Sequence, residues 1–187
     1  MKKKSLALFL ALTLVLGGII GGTMAWLTAQ TAPIVNTFTD SDIDITLAES
    51  TGENYQMVPG CTISKDPKVT VKEGSEKCYL FVKLEKSENF DSFMTYEIAD
   101  GWTALESASN VYYRIVDIAD MGTAYSVLKG DQVTVKDTVT KADMDSLTED
   151  TYPKLTVTAY ASQFSKNSTE NFDVNEAWMN ISGASGN

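Results

Sequence analysis

The sequence predicts an all-β fold: an antiparallel β-sandwich with one or two short decorating helices, preceded by a signal peptide. Three observations carry this. Apolar and polar residues alternate with a period of two in several short runs. Gly, Asp, Asn and Ser punctuate those runs at short intervals. The length, 187 residues with 43% hydrophobic content, suits one domain with a packed core plus an export segment.

The first element is that export segment. Lys2, Lys3 and Lys4 form a basic start, and Leu6 to Ile20 is an apolar run broken by Thr13 and the pair Gly17 and Gly18. Thr23-Met24-Ala25 supplies small residues at the positions a signal peptidase reads, which predicts cleavage between Ala25 and Trp26. The same stretch, Ser5 to Trp26, would also reach across a bilayer of ~20 helical residues as an uncleaved anchor. No cysteine ends the segment, so a lipoprotein anchor is not expected. Membrane contact is expected only through residues 1–25, before cleavage.

Residues 26–38 follow as an arm, and residues 39–187 as a single sandwich domain. Ile43, Ile45 and Leu47 alternate with Asp42, Asp44 and Thr46, the pattern of a half-buried strand. Val69 and Val71 repeat it. In Cys78 to Leu84, Cys78, Leu80, Val82 and Leu84 share one face and Tyr79, Phe81 and Lys83 the other. The turn residues Glu73-Gly74-Ser75 between these two runs predict a hairpin. Further β-rich runs are Met94 to Ile98, Val111 to Val116, Gln132 to Val135 and Leu155 to Ala161. Lys141 to Leu147 reads as a short helix, and Asn171 to Met179 places Phe172, Glu176, Ala177 and Trp178 at helical spacing.

Composition removes whole classes of function. The chain carries a formal charge of -10 and no histidine. Nucleic acid is not an expected partner, since Arg114 alone could make a bidentate phosphate or guanine contact. Without histidine there is no Ser-His or Cys-His pair and no H-E-x-x-H zinc site. No catalytic residue and no cofactor is expected.

Two cysteines in an exported chain favour a disulfide, Cys61 to Cys78, with two buried free thiols as the alternative. Closing that loop would stabilise the fold by ~3 kcal/mol in the chain-entropy account. Asp40, Asp42 and Asp44 lie on one face of the first strand and are weak calcium candidates. The glycine of a calcium loop is replaced by Ile45, and the plainer reading is a solvated strand face. A second acidic group, Asp143, Asp145, Glu149 and Asp150, surrounds the expected short helix. Tyr112, Tyr113, Trp102 and Trp178 could form a sugar-stacking platform, although aromatics in a sandwich are more often core.

The signal end Gly21-Gly22-Thr23-Met24-Ala25, followed by Asn36-Thr37-Phe38-Thr39 and the Ile43 to Leu47 strand, resembles the TasA and CalY (camelysin) group of exported proteins. Val58 to Ser87, Tyr96 to Trp102 and Leu155 to Gln163 are similar to an uncharacterised Gram-positive branch of that group. The resemblance implies cleavage by a SipW-type signal peptidase and a jelly-roll-like sandwich in the cell envelope or biofilm matrix. In some members it implies fibres built when an N-terminal strand completes a neighbour's sheet. The cysteine pair and the shorter body depart from the TasA pattern. Camelysin relatives have been classed as peptidases, but this chain lacks the zinc motif. The reading is therefore a structural protein, with a surface binding module for glycan or protein as the alternative. A structural subunit needs an open sheet edge, a binding module a groove with exposed aromatics, and an enzyme convergent carboxylates.

Overall fold

Residues 42–51 and 55–183 are described in the computed structural model; the signal segment, its cleavage site at Ala25 and Trp26, the arm 26–38 and Asp40 lie outside them. The strands are β1 (Ile45–Ala48), β2 (Thr62–Ser64), β3 (Lys68–Val71), β4 (Cys78–Lys86), β5 (Met94–Thr95), β6 (Thr103–Ala104), β7 (Val111–Val116), β8 (Ala124–Ser126), β9 (Gln132–Val135) and β10 (Leu155–Gln163). The helices are α1 (Phe90–Phe93), α2 (Lys141–Asp145) and α3 (Val174–Ser182).

β4 organises the molecule because it is apolar on both faces. It lies between β10 and β7 in a four-stranded antiparallel sheet ordered β10-β4-β7-β6. Cys78, Leu80, Val82 and Leu84 point into the main core with Val69 and Val71 of β3, Val116 of β7 and Val133 and Val135 of β9. Tyr79 and Phe81 point the opposite way, into a second core closed by Ala177 and Trp178 of α3. A strand buried on both sides must sit in the middle of a layered structure, with something apolar on either face.

The facing layer comprises two three-stranded sheets, β1-β3-β8 and β2-β9-β5. Each ladder runs on toward the other: Lys65 N–H to Asp131 C=O at 2.8 Å extends β2–β9, and Val127 N–H to Pro67 C=O at 2.9 Å extends β3–β8. The Ile98–Leu128 bridge continues the far side of this layer beyond β5. The ladder breaks where Gly130 and Asp131 take positive φ, of 68° and 53°, a conformation that interrupts regular pairing. The chain passes between layers from β3 to β4, from β4 to β5, from β5 to β6, from β7 to β8 and from β9 to β10. This alternation makes the antiparallel sandwich jelly-roll-like.

Helix α3 covers the outer face of the four-stranded sheet. It starts at a capping box in which the Asp173 side chain accepts from Asn175 N–H and the Glu176 side chain accepts from Asp173 N–H, and it ends at Gly183 with φ 70°. Trp178 lies with its ring centroid 5.3 Å from Phe81 and 5.3 Å from Tyr160. The Tyr79 hydroxyl donates to Phe172 C=O at 2.9 Å, which ties the segment before α3 to the sheet.

Two expectations are corrected here. The Val69–Leu84 hairpin does not form: β3 pairs with β1 and β8, while β4 pairs with β10 and β7. The turn at Gly74, φ 88°, carries the chain across the sandwich instead. As a consequence the Cys61–Cys78 disulfide is absent. Cys61 precedes β2 in one layer and is exposed, Cys78 opens β4 in the other and is buried, and both thiols are free.

Candidate functional site

The open margin of the four-stranded sheet is the most distinctive surface feature. β10 is nine residues long, Leu-Thr-Val-Thr-Ala-Tyr-Ala-Ser-Gln, with no charged residue and no proline. Among the described residues its only ladder is to β4. β1 abuts it but is hydrogen-bonded to β3, in the other layer.

The register shows which backbone groups face outward. Phe164 N–H bonds to Lys77 C=O and Ser87 N–H to Lys154 C=O, each between directly opposed residues just beyond the ladder ends. Hydrogen-bonded pairs recur every second residue in an antiparallel ladder. The even-numbered residues of β10 therefore bond to β4, and Leu155, Val157, Ala159, Ala161 and Gln163 turn their N–H and C=O groups outward. Edges of this length are ordinarily protected by lysine, proline or a bulge. β10 carries none of the first two, and its pairing with β4 runs unbroken from Leu155 to Gln163. The opposite margin, β6, is only two residues long.

The calcium candidates do not converge. Asp42 and Asp44 are exposed, and the Asp44 carboxylate receives Lys72 Nζ at 2.6 Å. In the second acidic group, Asp143 caps α2 by accepting from Thr140, and Asp145 pairs with Lys141. Among the described residues no three of His, Cys, Asp and Glu come together as metal ligands. The acids do local structural work. Asp66 is the clearest case: it accepts from Ser50 Oγ at 2.6 Å, Ser50 N–H at 2.9 Å and Thr51 N–H at 3.1 Å. Those bonds favour the charged form and hold its pKa at about 2, below the ordinary 3.8. Burial pushes the Cys78 thiol up to about 11, so it is a packing residue rather than a nucleophile.

The four aromatics proposed as a platform fall on opposite faces. Tyr113 and Trp178 belong to the α3 side, Tyr112 and Trp102 to the main core. Two features escaped the sequence reading. One is an open groove of about 490 Å³ lined by Thr95, Tyr96, Glu97, Lys129, Gln132 and Thr134. The other is the aromatic setting of Arg114, whose guanidinium carbon lies 3.7 Å from the ring centroid of Tyr125 and 5.3 Å from that of Trp102. Its partners are far apart in sequence, so only its being the single arginine could have drawn notice.

Compared with protein-family models, curated proteins and solved structures, the chain finds no match. No helix among the described residues is long and apolar enough to cross a membrane.

Proposed function

We propose that this protein is an exported structural subunit of the cell envelope or extracellular matrix. It associates with itself, or with related matrix subunits, when the arm Trp26 to Phe38 of one copy pairs with the outer edge of β10 on another. The observation that carries this is the uncharged, proline-free, nine-residue margin, whose outward backbone groups on alternate residues join no second ladder among the described residues. Strand addition needs such an edge, gaining affinity from main-chain hydrogen bonds and specificity from alternate side chains.

The arm is chemically suited to the task. It contains the β-branched Thr28, Thr31, Ile34, Val35 and Thr37, and no charged residue. Nine paired residues span ~30 Å at ~3.4 Å per residue, a length the arm can supply. Pro33 is tolerated where its nitrogen faces away from the acceptor. Each backbone bond adds a net ~0.5–1.5 kcal/mol, so the interaction grows with the number of outward groups engaged. Docking an arm on a different surface of the next copy is heterologous and need not close, so it propagates a filament. In this reading a SipW-type signal peptidase frees the arm by cutting after Ala25, and no catalytic centre is required.

The experiment is light scattering after size-exclusion chromatography, with negative-stain microscopy, on chains beginning at Trp26 and at Thr39. Oligomers or filaments from the longer chain alone support the proposal. Monomers from both, across concentration and mildly acidic pH, overturn it. The groove beside Tyr96 favours the second reading, a glycan-binding surface module. That reading expects a Tyr96→Ala variant to lose binding to a polysaccharide that the unaltered chain retains.

A further inference from the structure

Arg114 is placed where a charged residue needs a reason. It lies on β7 between Tyr112 and Val116, whose side chains enter the main core, so its own side chain starts toward the same face. It leaves the sandwich on the side away from β10, between Trp102 and Tyr125. Gly101, with φ 85°, lies against the guanidinium: a Cβ there would stand 3.0 Å from one terminal nitrogen. Trp102 is held in turn by its indole N–H, which donates to Ser126 C=O at 2.8 Å. The guanidinium thus lies over the Tyr125 ring, with Trp102 and Gly101 beside it.

Its hydrogen-bonding capacity is nevertheless unused. The group has five N–H donors in one plane. Among the described residues none is taken by an oxygen, and no carboxylate lies within ion-pair distance. The contrast with the lysines is sharp, since nine of the eleven described lysines pair with a carboxylate. In a chain with 25 acidic residues, Asp120 acts on the guanidinium by charge alone and no carboxylate is bonded to it, although it is the side chain best shaped to grip one.

We propose that Arg114, clamped by Trp102 and Tyr125, is a binding site for a single carboxylate group, received by the planar fork of the guanidinium. Tyr125 lies 3.7 Å from the guanidinium carbon and no oxygen is bonded to the donors, which leaves the fork for two parallel N–H···O bonds. The overall charge of -10 selects against polyanions, so the ligand presents one acid at this point rather than a run of them. The same charge disfavours a second copy of this chain at this surface, so the carboxylate is that of a uronic acid sugar.

The single arginine makes the test direct, because the ¹⁵N-labelled chain beginning at Thr39, which lacks the arm and so separates this test from assembly, has one arginine Nε–H signal. Sodium acetate and sodium glucuronate are titrated, with glucose and sodium chloride as controls. The expected result is a saturable shift of that signal with the carboxylates, and none with glucose or with chloride at equal ionic strength. Tighter binding of glucuronate than of acetate assigns the site to a uronic acid. A shift that grows with protein concentration, without added ligand, reports association between copies and overturns the sugar assignment. In Arg114→Lys, with an otherwise unchanged amide spectrum, the acetate-induced shifts of Gly101, Trp102 and Tyr125 amides weaken by about tenfold or more, because an ammonium lacks the fork. An Nε–H signal that moves with no carboxylate and not with protein concentration, or moves equally with chloride, overturns the proposal.

Discussion

Replacing Trp178 with alanine tests whether the outer face of the four-stranded sheet is a real core. Trp178 is 9% exposed and stacks at 5.3 Å on Phe81, itself fully buried, and edge-on at 5.3 Å on Tyr160. Truncating a buried tryptophan costs about 3–5 kcal/mol, and the two ring pairs account for about 1–3 kcal/mol of that at ~0.5–1.5 each. Whole-domain stability is about 5–15 kcal/mol, so the loss is a large share of it. The melting temperature should fall by roughly 6–20 °C at ~2–4 °C per kcal/mol. The assay is urea unfolding followed by circular dichroism, with Met179→Ala as the internal control, since Met179 is on the same helix but 42% exposed. The account requires a lower midpoint for Trp178→Ala and almost none of that shift for Met179→Ala. A Trp178→Ala loss below about 1 kcal/mol, or equal losses in the two variants, refutes the docking of α3.

Three further outcomes follow from the same geometry. In native protein a thiol reagent modifies Cys61 and leaves Cys78 untouched until urea is added, and the mass of the unmodified chain is that of two free thiols; a mass lower by two hydrogens contradicts this. Asp66 binds its proton less readily when folded than when unfolded, so its contribution is present above the ordinary pKa of 3.8 and is lost as pH falls toward about 2. Asp66→Asn should therefore lower stability at neutral pH and flatten the acid limb in that window, whereas an unchanged limb speaks against the Ser50–Thr51 clasp. Ala159→Pro replaces an outward-facing N–H and no β4 bond, so it should keep cooperative unfolding while abolishing assembly of the chain beginning at Trp26. Assembly that survives the substitution argues against β10 as the acceptor.

How much of this was legible in the sequence depends on whether the signal is local. The alternation in Cys78 to Leu84 located β4 and sorted its residues correctly between two faces, and Lys141 and Trp178 marked the short helices, because periodicity is read within one segment. Met94 to Ile98 shortened to a two-residue strand plus a bridge at Ile98, since its partner strand bends at Gly130 and Asp131. The four-residue α1 was missed; it is too short to show a helical period. Strand order was the larger loss. The turn chemistry of Glu73-Gly74-Ser75 is the same for a hairpin and for a crossing between layers, and the cysteine count could not show that Cys61 and Cys78 fall in different layers. The candidate site lies in this nonlocal part. Leu155 to Ala161 was recognisable as a strand, but its place at a margin is set by β4 preferring β7 on its other side. Arg114, Trp102 and Tyr125 meet only once β7 and β8 have folded onto opposite layers.

Residue-resolved hydrogen exchange on the chain beginning at Trp26 tests the strand-addition proposal most directly. The proposal predicts that the amides of Val157, Ala159 and Ala161, which face outward, become protected as protein concentration rises, while Thr158 and Tyr160, already bonded to β4, change little. Outward amides that exchange at the same rate at every concentration, or that are protected already in the dilute monomer, would contradict it.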